Sequence, residues 1–284
     1  MHRHNSLRSK TGISGLDEVL YGGLIPQQLY LVDGAPGAGK TTLALQYLLH
    51  GVRNGEKCVY LTLSETRREL EAGAHSHGWS LDSIHIVELI PDEKELNSDE
   101  QLTMLPSSEV ELGETTRKLL EAIEFNAPTR MVIDSLSELR LLAQNSLRYR
   151  RQILALKQFF VGRGCTVLML DDRTGEGSDL EVHSIAHGVI SLNSSSPAYG
   201  QARRELEIVK LRGSHFLSGF HDFTIRRGGI TVYPRLAAAE HVASNEGGIL
   251  PSGVAALDTL MGGGISISRA SPKGNSSSKR RGSH

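Results

Sequence analysis

The sequence predicts an α/β fold, a mostly parallel twisted sheet flanked by helices, with antiparallel strands toward the C-terminus. Three features point to it. Between residue 28 and about residue 170, short apolar runs rich in β-branched residues alternate with helical periodicities, as in a parallel sheet. A glycine-rich loop, Gly34-Ala35-Pro36-Gly37-Ala38-Gly39-Lys40-Thr41-Thr42, joins the first of these strands to a helix. Beyond residue 188, short strands follow one another with only turns between them.

In order, Gln28–Val32 reads as a buried strand and Thr42–Leu49 as the start of a helix that runs to about Arg53 and stops at Asn54-Gly55. Lys57–Leu63 is the next strand, followed by a helix over Arg67–Ala74 and an alternating strand over Ile84–Leu89. Pro91–Ser108 is acidic and reads as a solvated loop. A helix from about Glu109 to Asn126 turns Leu112, Leu119, Leu120 and Ile123 inward, and Pro128 closes it. Met131–Ser135 is a strand ending in an acid. Asn145 or Ser146 caps a helix to about Gly162, with Ile153, Leu154, Leu156, Phe159 and Phe160 inward; its Arg148, Arg150, Arg151 and Lys157 read as a solvated face. Cys165–Leu170 is a buried strand, after which Asp171-Asp172-Arg173 opens a loop to Ser178. Gly188–Leu192, Glu205–Leu211, Phe220–Ile225 and Ile230–Tyr233 then read as an antiparallel meander.

Composition bounds the partners. The chain has 284 residues with 31 basic and 32 acidic side chains, so no global field favours nucleic acid or an anionic membrane. No run of about 18 apolar residues exists, and nothing at the N-terminus has the apolar stretch of a signal peptide. A cytoplasmic protein is expected. Cys58 and Cys165 each lie in an apolar strand and read as core residues. Residues 1–10 read as a flexible N-terminus and 266–284 as a disordered, basic, serine-rich tail.

The glycine-rich loop fits G-x-x-x-x-G-K-[ST], with Gly34, Gly39, Lys40 and Thr41 at the fixed positions. Such a loop folds into a nest of N–H groups at the positive end of a helix, the geometry of a phosphate site. Lys40 is expected on the β- and γ-phosphates and the Thr41 hydroxyl on Mg²⁺. Asp134, at the end of an apolar strand, is the expected second Mg²⁺ residue. Glu65, just past the strand at Lys57–Leu63, is placed to orient or deprotonate an attacking water.

These pieces in this order, with TGISGLDEVLYGGL, YLTLSETRREL, VIDSLSEL, LRYRRQILALKQFF and EIVKLRGSHF, resemble the KaiC-like branch of the RecA superfamily. The resemblance covers roughly residues 11–236. It implies a RecA-like P-loop NTPase core over 11–241, ATP as the nucleotide, and a homo-oligomeric ring, commonly a hexamer, with ATP between subunits. In KaiC-like proteins a K-x-R-G element of the neighbouring subunit contacts the phosphates; here it is Lys210-Leu211-Arg212-Gly213, which makes Lys210 and Arg212 candidate cations in trans. The family's strand commonly ends in two acids, whereas this chain has Ser64-Glu65, so only the second remains. Residues 242–265 read as a linker and the start of a second copy: at a constant offset, Gly12, Leu16, Asp17, Gly22 and Gly23 match Gly253, Leu257, Asp258, Gly263 and Gly264. The copy stops before any phosphate loop, so the residues present do not support a protein-kinase activity. The resulting expectation is a slowly hydrolysing regulatory ATPase that contacts partner proteins. The alternatives are an ATP switch without turnover and a DNA-binding recombination ATPase, the last disfavoured by the charge balance.

Overall fold

The apolar runs become strands of one sheet because each is covered on both faces. In this computed structural model, which describes residues 8–89, 107–173, 179–196, 199–200, 202–235, 249–263 and 265–266, the chain divides into two compact units, Met1–Arg235 and Leu236–His284. The expected flexible N-terminus up to residue 7, the acidic loop at 91–106 and the tail from 267 lie outside the described residues, as does the expected boundary near residue 241.

The first unit runs α1 (Leu16–Val19), β1 (Leu29–Gly34), α2 (Lys40–Arg53), β2 (Cys58–Thr62), α3 (Arg67–Ser76), β3 (His85–Glu88), α4 (Ser107–Asn126), β4 (Arg130–Asp134), α5 (Leu136–Ala143), α6 (Ser146–Phe160), β5 (Thr166–Asp172), α7 (Asp179–Ile185), β6 (Gly188–Ser195), β7 (Arg203–Leu211), β8 (Phe220–Arg226) and β9 (Gly229–Tyr233). The strands form a sheet in the order β3-β2-β4-β5-β1-β6-β7-β8-β9. Pairing is parallel from β3 through β6 and antiparallel from β6 to β9. The 188–192 strand is therefore not simply the first strand of a meander. It pairs in parallel with β1 and only its other edge is antiparallel, a choice set by the α7 crossover before it.

The period-2 alternation of the strands sorts their side chains into two apolar layers. Tyr30, Val32, Tyr60, Val132 and Leu168 meet Leu43 and Leu48 of α2 on one face. Leu31, Leu61, Ile133 and Met169 meet Ile153, Leu156 and Phe160 of α6 on the other. A fully buried side chain of this kind contributes about 1.5–3 kcal/mol. Leu154 was expected inward but is 43% exposed, because the apolar seam of α6 follows Tyr149, Ile153, Leu156 and Phe160. Cys58 and Cys165 are free and buried, and burial pushes their thiols up to about 11 and about 12.

Caps follow local chemistry. Thr66 and Glu69 form a reciprocal capping box at α3, and Asn145 Oδ1 accepts from the Arg148 amide to start α6. Among the described residues no helix is long and apolar enough to cross a membrane.

The second unit contains β10 (Ile249–Leu250), α8 (Ala255–Leu260) and β11 (Ile265–Ser266). Its local geometry repeats that of residues 9–24. Ser252 N donates to Asp258 Oδ1 at 2.8 Å as Thr11 N does to Asp17 at 2.7 Å. Gly263 N reaches Asp258 O as Gly22 N reaches Asp17 O, and the Leu250–Ile265 pair repeats the Ser9–Leu24 bridge. The repeat read from glycine and aspartate positions is thus a repeat of conformation.

Arg130 ties the N-terminal segment to the sheet. Its guanidinium grips Glu56 at 2.8 and 2.6 Å, donates to the carbonyls of Lys10 and Tyr47, and lies over the Tyr47 ring. Removing one partner of a buried pair costs about 3–5 kcal/mol. Arg130→Met should therefore lose about 3 kcal/mol in urea unfolding; a loss under about 1 kcal/mol would contradict this role.

Candidate functional site

Parallel register brings four strand ends to one edge of the sheet. Gly34 of β1 lies beside Asp172 of β5, and Thr62 of β2 beside Asp134 of β4. The carboxyl ends of parallel strands line the ligand crevice of such sheets.

From Gly34 the chain enters the glycine-rich loop. Gly37 and Gly39 have φ of 76° and 114°, in the left-handed region, and a Cβ on Gly39 would meet Ile225 Cδ1 at 2.6 Å. Only glycine allows this close, strained path. Ala35, Pro36 and Gly37 are exposed while Ala38 is buried, anchoring the loop. Helix α2 starts at Lys40 with no side-chain cap and no acid in its first turn, so its first N–H groups are left for a ligand. Thr42 lies in that same turn, half-buried.

Lys40 curls inward. Its Nζ donates to the carbonyls of Gly34 at 2.8 Å and Ala35 at 3.1 Å, and pairs with Asp172 Oδ1 at 2.6 Å. The Thr41 hydroxyl donates to Asp134 Oδ2 at 3.4 Å, and the Tyr60 hydroxyl donates a short bond to the same oxygen. Burial pushes the Asp134 carboxyl above the usual range; the Tyr60 bond opposes this and the charge of Asp172 adds to it. Thr62 fixes the turn that presents Glu65, its Oγ1 accepting from Glu65 N at 2.9 Å and donating to Glu65 O at 2.7 Å. Glu65 is held above its usual range first by burial, then by Asp134, Glu69 and Asp172. Ser64 is exposed.

The structure thus gathers Lys40, Thr41, Asp134 and Glu65. It does not bring Lys210, Leu211 and Arg212 to them. Leu211 lies beside Gly188, and Gly188 beside Tyr30, four residues before Gly34, so this element sits roughly 13 Å toward the other end of the sheet at about 3.3 Å per residue. Leu211 is buried, and Lys210 and Arg212 donate to carbonyls of α7.

Three further residues emerge only in the fold. Asp172 is the partner of Lys40; Tyr60 holds Asp134; and Arg204 of β7 donates to the carbonyls of Gly37 and Ala38 at 2.9 and 3.1 Å, fixing the loop from outside. Beneath the loop, buried Asp33 joins Arg173 at 2.8 Å and His183 at 2.7 Å. Burial opposes ionisation of Asp33, but the His183 bond and the Arg173 charge outweigh it and lower its pKa.

With this geometry in place, comparison with known proteins is decisive: residues 9–237 match the family described as ATPase: KaiC. The chain belongs to the KaiC ATPase family. Nucleotide binding comes with that membership. The chain is 29% identical over 267 residues to the circadian clock oscillator protein KaiC of Picosynechococcus, a match spanning 90% of this chain and 50% of that protein. It is 30% identical over 239 residues to the UPF0273 protein of Thermotoga maritima, spanning 80% and 96%. The chain thus spans about half the length of the KaiC oscillator proteins it matches and nearly all of the UPF0273 protein. Among solved structures it is similar to a KaiC-like protein of Pyrococcus horikoshii, with TM-score 0.66 and 28% identity over 81% of this chain and 100% of that one. The RecA-like α/β fold expected of a KaiC-like chain is the fold observed.

For Lys40 to reach a phosphate it must leave Asp172. Asp172→Asn removes that competitor, so pyrophosphate should bind up to about fivefold more tightly by calorimetry, the scale of one partly exposed charged pair at about 1 kcal/mol. Weaker binding would show that Asp172 helps hold the anion instead.

Proposed function

We propose that this KaiC-family chain is an oligomeric ATPase of slow turnover whose nucleotide lies between subunits and whose hydrolysis regulates contacts with partner proteins. The observation that carries it is the split of the site. The phosphate loop, Lys40, Thr41, Asp134 and Glu65 share one end of the sheet, while Lys210 and Arg212 of the same chain lie toward its other end and donate to carbonyls of α7.

The N–H groups of the loop and of the first turn of α2, with Lys40, suit the β- and γ-phosphates of ATP. Thr41 and Asp134 offer the hard oxygens that Mg²⁺ prefers, to be completed by phosphate oxygens and water. Bound Mg²⁺ supplies charge neutralisation on the transferred phosphoryl group. Tyr60 and Thr41 hold the Asp134 carboxylate in one orientation. Glu65, its carboxyl held above the usual range by burial and neighbouring carboxylates, orients the attacking water and takes its proton. Lys210 and Arg212 of a neighbouring copy complete the charge on the transferring phosphate, a role worth roughly 10³–10⁵ in rate for an arginine finger.

Ser64 supports a second reading, in which the same site binds ATP and signals without turnover. The two separate in steady-state ATP hydrolysis. Glu65→Gln should fall about 10²-fold with ATP binding retained, the scale for losing a general base, and Lys40→Ala should lose binding. Unchanged turnover in Glu65→Gln would remove Glu65 from the chemistry. No turnover in the native chain, with turnover gained in Ser64→Glu, would establish the switch.

A further inference from the structure

Four basic side chains from two separate elements converge on one turn of α7. On α6, Lys157 Nζ donates to Ile185 O at 2.8 Å and Arg150 reaches the Ser184 hydroxyl at 3.3 Å. From the end of β7, Lys210 donates a short bond to His183 O and Arg212 donates to Ser184 O at 2.7 Å. Three successive carbonyls thus each take one cation. A helix C-terminus is satisfied by far less, since its dipole is worth about half a charge.

The grouping is costly as it stands. Among the described residues no carboxylate pairs with Lys157, Lys210 or Arg212. Burial, then the neighbouring positive charges, hold both lysines below the usual lysine range. The Nε2 of His187, in the same cluster, is buried with no hydrogen-bond partner among the described residues; burial disfavours its protonation, a backbone bond with Arg212 opposes this, and the charges of Arg212, Lys157 and Lys210 add to it. Like charges held together with only carbonyls opposite them are the arrangement that a multiply charged anion repays.

We propose that Lys157 is a third cation acting in trans: with Lys210 and Arg212 it forms one site for the terminal phosphates of a nucleotide bound in a neighbouring copy of the chain. This rests on the interface reading above and adds a residue of α6 to it. The chain's own phosphates are excluded by the sheet register, which places Leu211 four residues from Gly34 along the strands. The α7 carbonyls occupy the cations until the neighbour's phosphates displace them. Because His183 of that same turn is bonded to Asp33, next to Gly34, the turn is tied to the chain's own phosphate loop.

The test uses the full chain carrying Lys157→Met, which keeps the length of the side chain and removes its charge, and Lys157→Arg, which keeps the charge. Lys157→Met should lose about 10²-fold in turnover, the scale of one missing donor to transition-state charge, and Lys157→Arg should keep most of it. Mixing Lys157→Met with Lys40→Ala, both nearly inactive alone, should restore turnover, as should mixing Arg212→Ala with Lys40→Ala. If the Arg212 pair recovers while Lys157→Met has native turnover or is not rescued, Lys157 is only a helix cap and the interface reading stands. If neither pair recovers, both fall. Should the chain hold ATP without turnover, the same mixtures are read by ATP affinity, with about tenfold weakening expected for Lys157→Met and none overturning the assignment. Salt-sensitive duplex DNA binding lost in Lys157→Met, with turnover intact, would assign the cluster to nucleic acid instead.

Discussion

The in-register parallel pairing of β1, β2, β4 and β5 is the constraint on which the rest of the molecule depends. It carries Gly34, Thr62, Asp134 and Asp172 to one edge of the sheet, although they lie as far apart in sequence as the whole parallel half of the fold. A slip of one residue would turn Asp134 into the apolar layer and its neighbour Ile133 out of it. The buried strands resist that slip, since each is apolar on both faces and all five residues of β2 and of β4 are buried.

What this edge holds is stable only in part. Lys40 is turned back on its own loop, burial and neighbouring carboxylates push the Asp134 and Glu65 carboxyls above their usual range, and the first turn of α2 has no side-chain cap. Each is a local cost that a polyanion with a divalent cation would offset together. The supporting contacts lie one step further out: Tyr60 on Asp134, Arg204 on the loop carbonyls, and Arg173 with His183 on Asp33. This division between a strained inner set and a well-bonded outer set is expected where function rather than stability has set the residues.

Features whose geometry is local were legible in the sequence. The glycine-rich loop is one, because its backbone path needs glycine at fixed spacing; the capping of α6 by Asn145 is another. Asp134 and Glu65 could be placed because one ends an apolar parallel strand and the other lies just past the end of one. Asp172, Tyr60 and Arg204 could not, since their roles depend on which strands lie side by side, and Arg204 meets Gly37 across 167 positions of chain. Helix α5 follows β4 with almost no turn residues, and α7 is too short to show a period, so neither was evident. The basic residues of α6 look like any solvated face until α7 and β7 are seen to close on them.

The proposed catalytic unit is an interface between copies. Turnover per chain measured across a dilution series, with molar mass followed by light scattering, tests it most directly. If the account is right, turnover per chain falls to near zero as the assembly dissociates and returns on concentration. A dissociated, monomeric chain that hydrolyses ATP at the full rate would contradict it.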